Sequence, residues 1–309
     1  MAVLILRIIL IVQFLWVLAY TAYDIVKTKK HLMAGKDRYA KNAVIGLITD
    51  LFDTLGVGCF APTMFAFKVT GAMPKDENGK DRDDLVPGTL NIGHCWPVIT
   101  EALLFLDFVA VEPLTLVGLL VAACLGGWIG AGWVSKWKVN TVRIAISVCL
   151  LATAVVVIMR QFGIGPYAGE NEALLGLHGV KLIVALVINF VLGMLMNLGF
   201  GLYAPCMGML LALGMDVGAI FPIMMGSTAI QMPFSSTIFI KEGKYDPKAT
   251  VMLGIFGIIG VFIAYFLVKS MDVTYLLYIV IAVMVYTAIR YLIEGVKGVK
   301  AEKAEKAAN

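Results

Sequence analysis

Apolar runs of about 20 residues recur along this chain, and each is long enough to cross a bilayer core of about 30 Å as a helix. Of the 309 residues, 60% are hydrophobic and 15% charged, and the mean hydropathy is +0.90. Soluble domains carry about 25% charged residues. Because lipid offers no partner for backbone polar groups, each run must satisfy its own hydrogen bonds. The sequence therefore predicts an all-α polytopic membrane protein.

A ten-residue phrase occurs twice, beginning at Leu55 and again at Leu198, an offset of 198 − 55 = 143 residues. Six of its ten positions are identical, and each copy places two glycines and a proline inside an apolar stretch. We expect these residues to break a helix, and broken backbone at membrane depth is tolerated only inside protein or beside a wet cavity. Paired interruptions in two halves of a chain point to a transport site.

The basic loops discriminate between two topologies. If both broken segments crossed the membrane fully, the loop with Lys136 and Lys138 would fall outside, against the positive-inside rule. If both are re-entrant, every strongly basic loop and the tail fall inside, and only Lys269 is misplaced. This favours about seven full spans plus two re-entrant broken-helix segments, with a cytoplasmic C-terminus. Three crossings per repeat would then make the repeats inverted.

The repeat boundaries follow from this topology. Weaker matches support them, such as Gly126 with Gly260 and Gly88 with Gly226. The predicted organisation is a first span and basic loop (1–41), repeat 1 (42–160), a connector (161–180), repeat 2 (181–292) and a cytoplasmic tail (293–309).

Asp53 lies just before the first glycine break, one helical turn after Asp50. A carboxylate at bilayer depth is costly and is a functional hypothesis by default. Asp53 could take a coupling proton, or it could cap a half-helix by accepting from freed N–H groups. Met196 occupies its place in the second copy, so the repeat is asymmetric in charge.

The next helix carries Asn91, His94 and Glu101 at spacings that place them on one face. Pro97 should kink this helix. A buried His94–Glu101 pair could pass protons, since histidine titrates near neutrality; the alternative is a histidine satisfied by packing. The candidate proton-coupling residues are Asp53, His94 and Glu101.

Half-helix N-termini at the breaks would present N–H groups suited to a small oxyanion. Neutral side chains nearby could add donors, although hydroxyls and amides also serve as packing contacts between membrane helices. The candidate substrate-binding residues are Gly56, Gly58, Thr89, Asn91, Gly199, Gly201, Ser227, Thr228 and Gln231.

Other chemistry finds no support in the sequence. The five cysteines form no CxxC pair and their spacing predicts no metal site; a thiol role for Cys59 or Cys206 stays open. No nucleotide, metalloprotease or hydrolase motif is present, so no catalytic residue and no cofactor are predicted, and the chain is not expected to be an enzyme. The net charge of +4 gives no argument for a nucleic-acid partner.

The phrase from Phe52 to Gly58, followed by Pro62, resembles the TauE/SafE family of sulfite and organosulfonate exporters. Its second copy, the segment Gly88-Thr89-Leu90-Asn91 and the run from Gly126 to Gly130 resemble the same family. The resemblance implies a permease of the cell membrane that exports small sulfur-containing anions, coupled to the proton gradient. Alternatives are an anion channel, a thiol-dependent sulfur-relay protein and a structural membrane subunit. A homodimer is compatible with each.

Overall fold

The computed structural model describes residues 2–27, 37–75, 82–106, 110–134, 139–162, 174–196 and 201–308. Within these ranges the chain is helical and contains no strand. The helices are α1 (Ala2–Lys27), α2 (Asp37–Thr54), α3 (Phe60–Thr70), α4 (Val86–Gly93), α5 (Cys95–Phe105), α6 (Pro113–Val134), α7 (Val139–Gln161), α8 (Gly179–Met196), α9 (Tyr203–Ala212), α10 (Val217–Glu242), α11 (Pro247–Ser270) and α12 (Val273–Ala308).

The all-helical, multi-pass class is confirmed. Among the described residues, five helices have the length and apolar composition to cross a membrane, in α1, α8, α10, α11 and α12. Shorter apolar stretches lie in α6, α7 and α9. The total of seven spans, the re-entrant segments and the repeat boundaries stay predictions. Lys136, Lys138 and most of the connector lie outside the described residues.

Both copies of the repeated phrase interrupt a helix, as predicted. In the first copy α2 ends at Thr54 and α3 begins at Phe60. In the second, α8 ends at Met196 and α9 begins at Tyr203, with residues 197–200 outside the described part. A third interruption falls at His94, between α4 and α5. Pro97 explains it, because proline has no N–H to donate to the carbonyl four residues earlier.

The chain divides into two compact units, of which the first comprises residues 1–109 and 225–270. Its framework is the close packing of α11 on α2. The backbones approach because α11 carries glycines: a Cβ on Gly260 would overlap the carbonyl oxygen of Leu47, and one on Gly257 would overlap the Asp50 carboxylate. Small residues permit such contact between membrane helices. Gly257 therefore makes the room in which Asp50 lies.

The second unit comprises residues 110–224 and 271–309. Here α6 packs on α8 in the same manner. A Cβ on Gly126 would overlap the carbonyl oxygen of Phe190, and one on Gly193 would overlap that of Ala123. The buried Asn189 amide donates to the carbonyl of Leu119 at 2.8 Å. Glycine contacts and the Asn189 hydrogen bond thus hold this pair of helices together.

Candidate functional site

Two left-handed glycines shape the first break. Gly56 has φ 96° and Gly58 has φ 85°, a conformation that costs other residues strain. The Gly56 N–H donates to the Asp53 carbonyl at 2.7 Å, and the Val57 N–H donates to that of Phe52 at 3.0 Å. This pair of bonds ends α2 and satisfies the carbonyls of Phe52 and Asp53 in its last turn. The chain can then start α3 in a new direction within a few residues.

His94 is held from two sides at the break between α4 and α5. Its Nδ1 lies 2.8 Å from Asp50 Oδ1 and 3.0 Å from Oδ2. Its Nε2 lies 3.0 Å from the Thr63 hydroxyl of α3. All three side chains are buried. With Asp50 ionised, Nδ1–H donates to the carboxylate, and a neutral ring then accepts from Thr63 through Nε2.

Glu101 meets the end of α2. The Thr54 hydroxyl lies 2.7 Å from Glu101 Oε1 and 2.9 Å from the Asp50 carbonyl. A hydroxyl carries one hydrogen and can satisfy only one of these acceptors at a time. If that hydrogen goes to the carbonyl, Glu101 must supply the second one, which only its protonated form can do. Glu101 is fully buried, so this geometry suits a carboxyl group that gains and loses a proton.

Asp53 lies beside Cys59, the residue that precedes α3. Cys59 is among the groups that act electrostatically on its carboxylate. Its Oδ2 is buried and has no hydrogen-bond partner among the described residues. The neighbouring charges that act on it are Asp50 and His94. Asp53 is therefore buried at 2% exposure with one oxygen unsatisfied.

Together these side chains form what we call the buried polar cluster. Its members are Asp50, Asp53, Thr54, Cys59, Thr63, His94 and Glu101. It contains three carboxyl groups and one imidazole, and the imidazole is hydrogen-bonded to Asp50. Burying several like charges without matching cations is costly. The cluster is therefore expected to hold at least one proton on its carboxyl groups.

Asp50, Cys59 and His94 bring an oxygen, a sulfur and a nitrogen within 4.8 Å of one another. That donor set is one that transition metals accept. Both ring nitrogens of His94 already have hydrogen-bond partners, however, so binding a metal would require breaking one of those bonds. We therefore do not assign a metal centre. No sequence pattern indicates this grouping, because the three residues come from separate segments.

The predicted coupling residues are brought together, whereas Thr89 and Asn91 are engaged elsewhere. Thr89 Oγ1 donates to the Leu85 carbonyl at 2.7 Å and accepts from the Asp246 N–H at 2.9 Å. Asn91 Oδ1 accepts from the Ser235 hydroxyl at 2.8 Å. Asn91 thus contacts Ser235 of α10, whereas Glu101 contacts the end of α2. Both residues tie α4 to its neighbours, and their substrate role stays a prediction.

The remaining candidates are distributed as follows. Ser227, Thr228 and Gln231 are buried on the part of α10 that belongs to the first unit. Gly199 lies outside the described residues. In the second unit the Gly201 N–H donates to the Tyr291 hydroxyl of α12 at 3.0 Å. One predicted amide donor is thus already bonded to a side chain.

Sequence reasoning placed Asp50 near the break but did not select it as a site residue, although its spacing from Asp53 was the available signal. Thr63 and Tyr291 had no signal, because their roles depend on partners 31 and 90 residues away.

Comparison with protein-family models, curated proteins and solved structures finds no match to this chain. The class that the fold defines is an all-helical, multi-pass membrane protein with a buried carboxyl–imidazole cluster at a helix break. The resemblance to TauE/SafE exporters remains a prediction from the residues quoted for it.

Proposed function

We propose that this chain is a secondary transporter of the cell membrane that exports small sulfur-containing anions, sulfite or an organosulfonate, in a proton-coupled manner. The observation that carries the proposal is the buried polar cluster. Asp53 of α2, His94 at the junction of α4 and α5, and Glu101 of α5 belong to this cluster at the first helix break. Intramembrane ionisable residues in contact with one another are typical of proton relays in transporters. The choice of sulfur anion rests on the family resemblance alone.

Equivalent packing in the two units supports an organisation in inverted repeats. Gly260 meets the Leu47 carbonyl in the first unit, and Gly126 meets the Phe190 carbonyl in the second. The offset between Leu47 and Phe190 is 190 − 47 = 143, the same that relates the repeated phrase, and Gly126 and Gly260 are one of the glycine pairs matched in the sequence. In both units the helix before the break therefore packs on a helix of the other predicted repeat: α2 on α11 in the first unit, and α8 on α6 in the second.

A second pair of contacts follows the same offsets. Gly257 meets Asp50 and Ala123 meets Gly193, with 193 − 50 = 143 and 257 − 123 = 134. Such exchange between halves suits repeats that are related by an axis in the membrane plane. The proposed topology has seven full spans, two re-entrant segments and a cytoplasmic C-terminus. A reporter fused after Asn309 should be active only in the cytoplasm; activity on the opposite face would contradict the topology.

The function is tested with purified protein in proteoliposomes. Radiolabelled sulfite, sulfate and taurine flux is measured with and without an imposed pH gradient, and protein-free liposomes give the background. We expect saturable flux of sulfite or taurine that the pH gradient drives. Large unitary currents would favour the channel instead, and no flux of any of the three anions would contradict the proposal.

A matched pair of variants tests the part played by the cluster. Glu101→Gln should lower gradient-driven flux by about a hundredfold, the lower end of what a positioned proton-transfer group contributes. Glu112→Gln is the control, because Glu112 also accepts from a threonine hydroxyl, that of Thr115, but lies outside the cluster. Equal flux in the two variants would show that the buried polar cluster takes no part in proton coupling.

A further inference from the structure

Two threonine hydroxyls of the buried polar cluster contact its protonatable groups. The Thr63 hydroxyl lies 3.0 Å from His94 Nε2, and the Thr54 hydroxyl lies 2.7 Å from Glu101 Oε1. A hydroxyl can both donate and accept a hydrogen bond, whereas a carboxylate can only accept. The direction of such a bond can therefore reverse when the protonatable group gains or loses its proton.

Thr54 is placed between a side chain and a backbone acceptor. It is the last residue of α2 and is fully buried. Besides Glu101 Oε1, its Oγ1 lies 2.9 Å from the carbonyl oxygen of Asp50, one turn earlier in the same helix. The single hydrogen of the hydroxyl therefore has two alternative destinations, the carboxyl group of α5 or the backbone of α2.

The ionisable groups around this bond are mostly acidic. Asp50 and Asp53 lie on α2, and Cys59 lies in the break that follows it. His94, at the start of α5, is hydrogen-bonded to Asp50. An ionised Glu101 would thus add a like charge to this set, which makes a hydrogen bond donated to its carboxylate important for that state.

The other helices that pack on α5 bury uncharged groups against it or beside it. α4 carries no ionisable side chain. α11 meets α5 through two glycines, Gly254 at Trp96 and Gly257 at Pro97. α1 also packs on α5, and its buried side chains are Leu6, Leu10, Gln13, Val17 and Thr21. The acidic groups that face Glu101 from the described residues therefore belong to α2.

We propose that Thr54 is a two-way hydrogen-bond partner of Glu101, a positioning residue that lets this carboxyl group take and release the coupling proton without losing its contact with α2. The inference rests on the proposed function. When Glu101 is ionised, the Thr54 hydroxyl donates to Oε1. When a proton from solution adds to Oε1, the new O–H donates to Thr54 Oγ1, and the hydrogen of Thr54 turns to the Asp50 carbonyl. Release of the proton restores the first arrangement.

The reversal keeps Glu101 hydrogen-bonded in both of its states. A buried polar group without a partner is costly, and more so when it is charged. The bond that Thr54 donates to the ionised carboxylate is charge-assisted and about twice as strong as the neutral bond that it accepts from the protonated form. Loss of the hydroxyl should therefore penalise the ionised state more and hinder release of the proton.

Infrared difference spectra of purified full-length protein between acidic and alkaline solution test the bond directly. The C=O stretch of protonated Glu101 is the band that Glu101→Gln removes, and its frequency rises when the carboxyl group loses a hydrogen bond. Thr54→Val keeps the shape of the side chain and should raise that frequency, whereas Thr54→Ser should keep the wild-type value. Thr49→Val is the matched control, because the buried Thr49 of the same helix also donates to the carbonyl four residues earlier, that of Ile45 at 2.8 Å. It should leave the band unmoved.

Flux in proteoliposomes measures the consequence for transport. Gradient-driven flux of sulfite or taurine should fall about tenfold in Thr54→Val, the factor that separates a hydrogen bond to a charged group from one to a neutral group. Thr54→Ser should recover most of that flux, and Thr49→Val should match the wild type.

Two results would overturn the inference and leave the proposed function intact. One is a Glu101 band at the same frequency in Thr54→Val as in the wild type. The other is a wild-type band already at the frequency of a carboxyl group without a hydrogen bond, which needs no Thr54 variant to fold. If the wild type transports none of the tested anions, the proposed function fails and this inference falls with it.

Discussion

The two units share a packing scheme but differ in chemistry. In each, the helix before a break lies against a glycine-bearing helix, with Leu47 opposite Gly260 in one and Phe190 opposite Gly126 in the other. The side chains that follow are unlike. The first unit has Asp50 and Asp53 where the second has Gly193 and Met196, by the same offset of 143 residues. Backbone contact through small residues therefore does not dictate the neighbouring side chains. They are carboxylates in the first unit and uncharged in the second.

The largest effect is expected at the charged contact that the second unit lacks. His94→Ala removes the side chain that hydrogen-bonds to the buried Asp50 carboxylate. Leaving a buried charge unpaired costs about 3–5 kcal/mol, so the free energy of unfolding should fall by that amount. Adding Asp50→Asn should recover much of the loss, because the orphan charge is gone. Thermal unfolding in detergent measures both; a double variant no more stable than His94→Ala would contradict this explanation.

Alanine substitutions at the glycine contacts that the two units share should lower the free energy of unfolding by similar amounts. Gly260→Ala and Gly126→Ala each place a Cβ against a backbone carbonyl, and each should cost about 1–3 kcal/mol through overpacking. Gly118→Ala is the control, since its Cβ would meet only the movable end of Leu186, at 3.3 Å. A clear loss in one variant and none in the other would break the equivalence of the two units.

Alanine substitutions at the two helix breaks should differ in their effect on the free energy of unfolding. Gly58 has φ 85° and open space where a Cβ would lie, so Gly58→Ala should cost about 1–2 kcal/mol from backbone strain alone. Gly201 is not left-handed, and the nearest neighbour of a Cβ there would be the Tyr291 hydroxyl at 3.8 Å. Gly201→Ala should therefore be nearly neutral in the same unfolding assay. Gly58→Leu and Gly201→Leu should both stop flux in folded protein, and normal flux in both would exclude a close approach of substrate to the backbone.

A small effect is expected at Tyr291, which contacts the second break. Tyr291→Phe removes the hydroxyl that accepts the Gly201 N–H at 3.0 Å. Loss of one such bond costs about 0.5–1.5 kcal/mol. Hydrogen exchange of the Gly201 amide should accelerate correspondingly in this variant. Unchanged exchange would show that the phenol does not protect the second break.

Much of the architecture could be predicted because it depends on local properties. Length and apolar composition predict the helices, and the paired glycines and proline predict both interruptions. Pro97 predicts the third, but not that it would fall at His94. Helical spacing also does not predict that Asn91 contacts Ser235 while His94 and Glu101 contact α2, because those partners lie far away in the sequence.

The sequence by itself determined the class of protein, the helix breaks and the presence of costly ionisable residues near them, since each follows from the solvation of single segments. Only the tertiary structure decided which of those residues meet. The pairing of Asp50 with His94, of Glu101 with Thr54 and of Gly201 with Tyr291 joins segments 44, 47 and 90 residues apart. Such contacts depend on how closely glycine lets two backbones approach, and no periodicity along one helix contains that information.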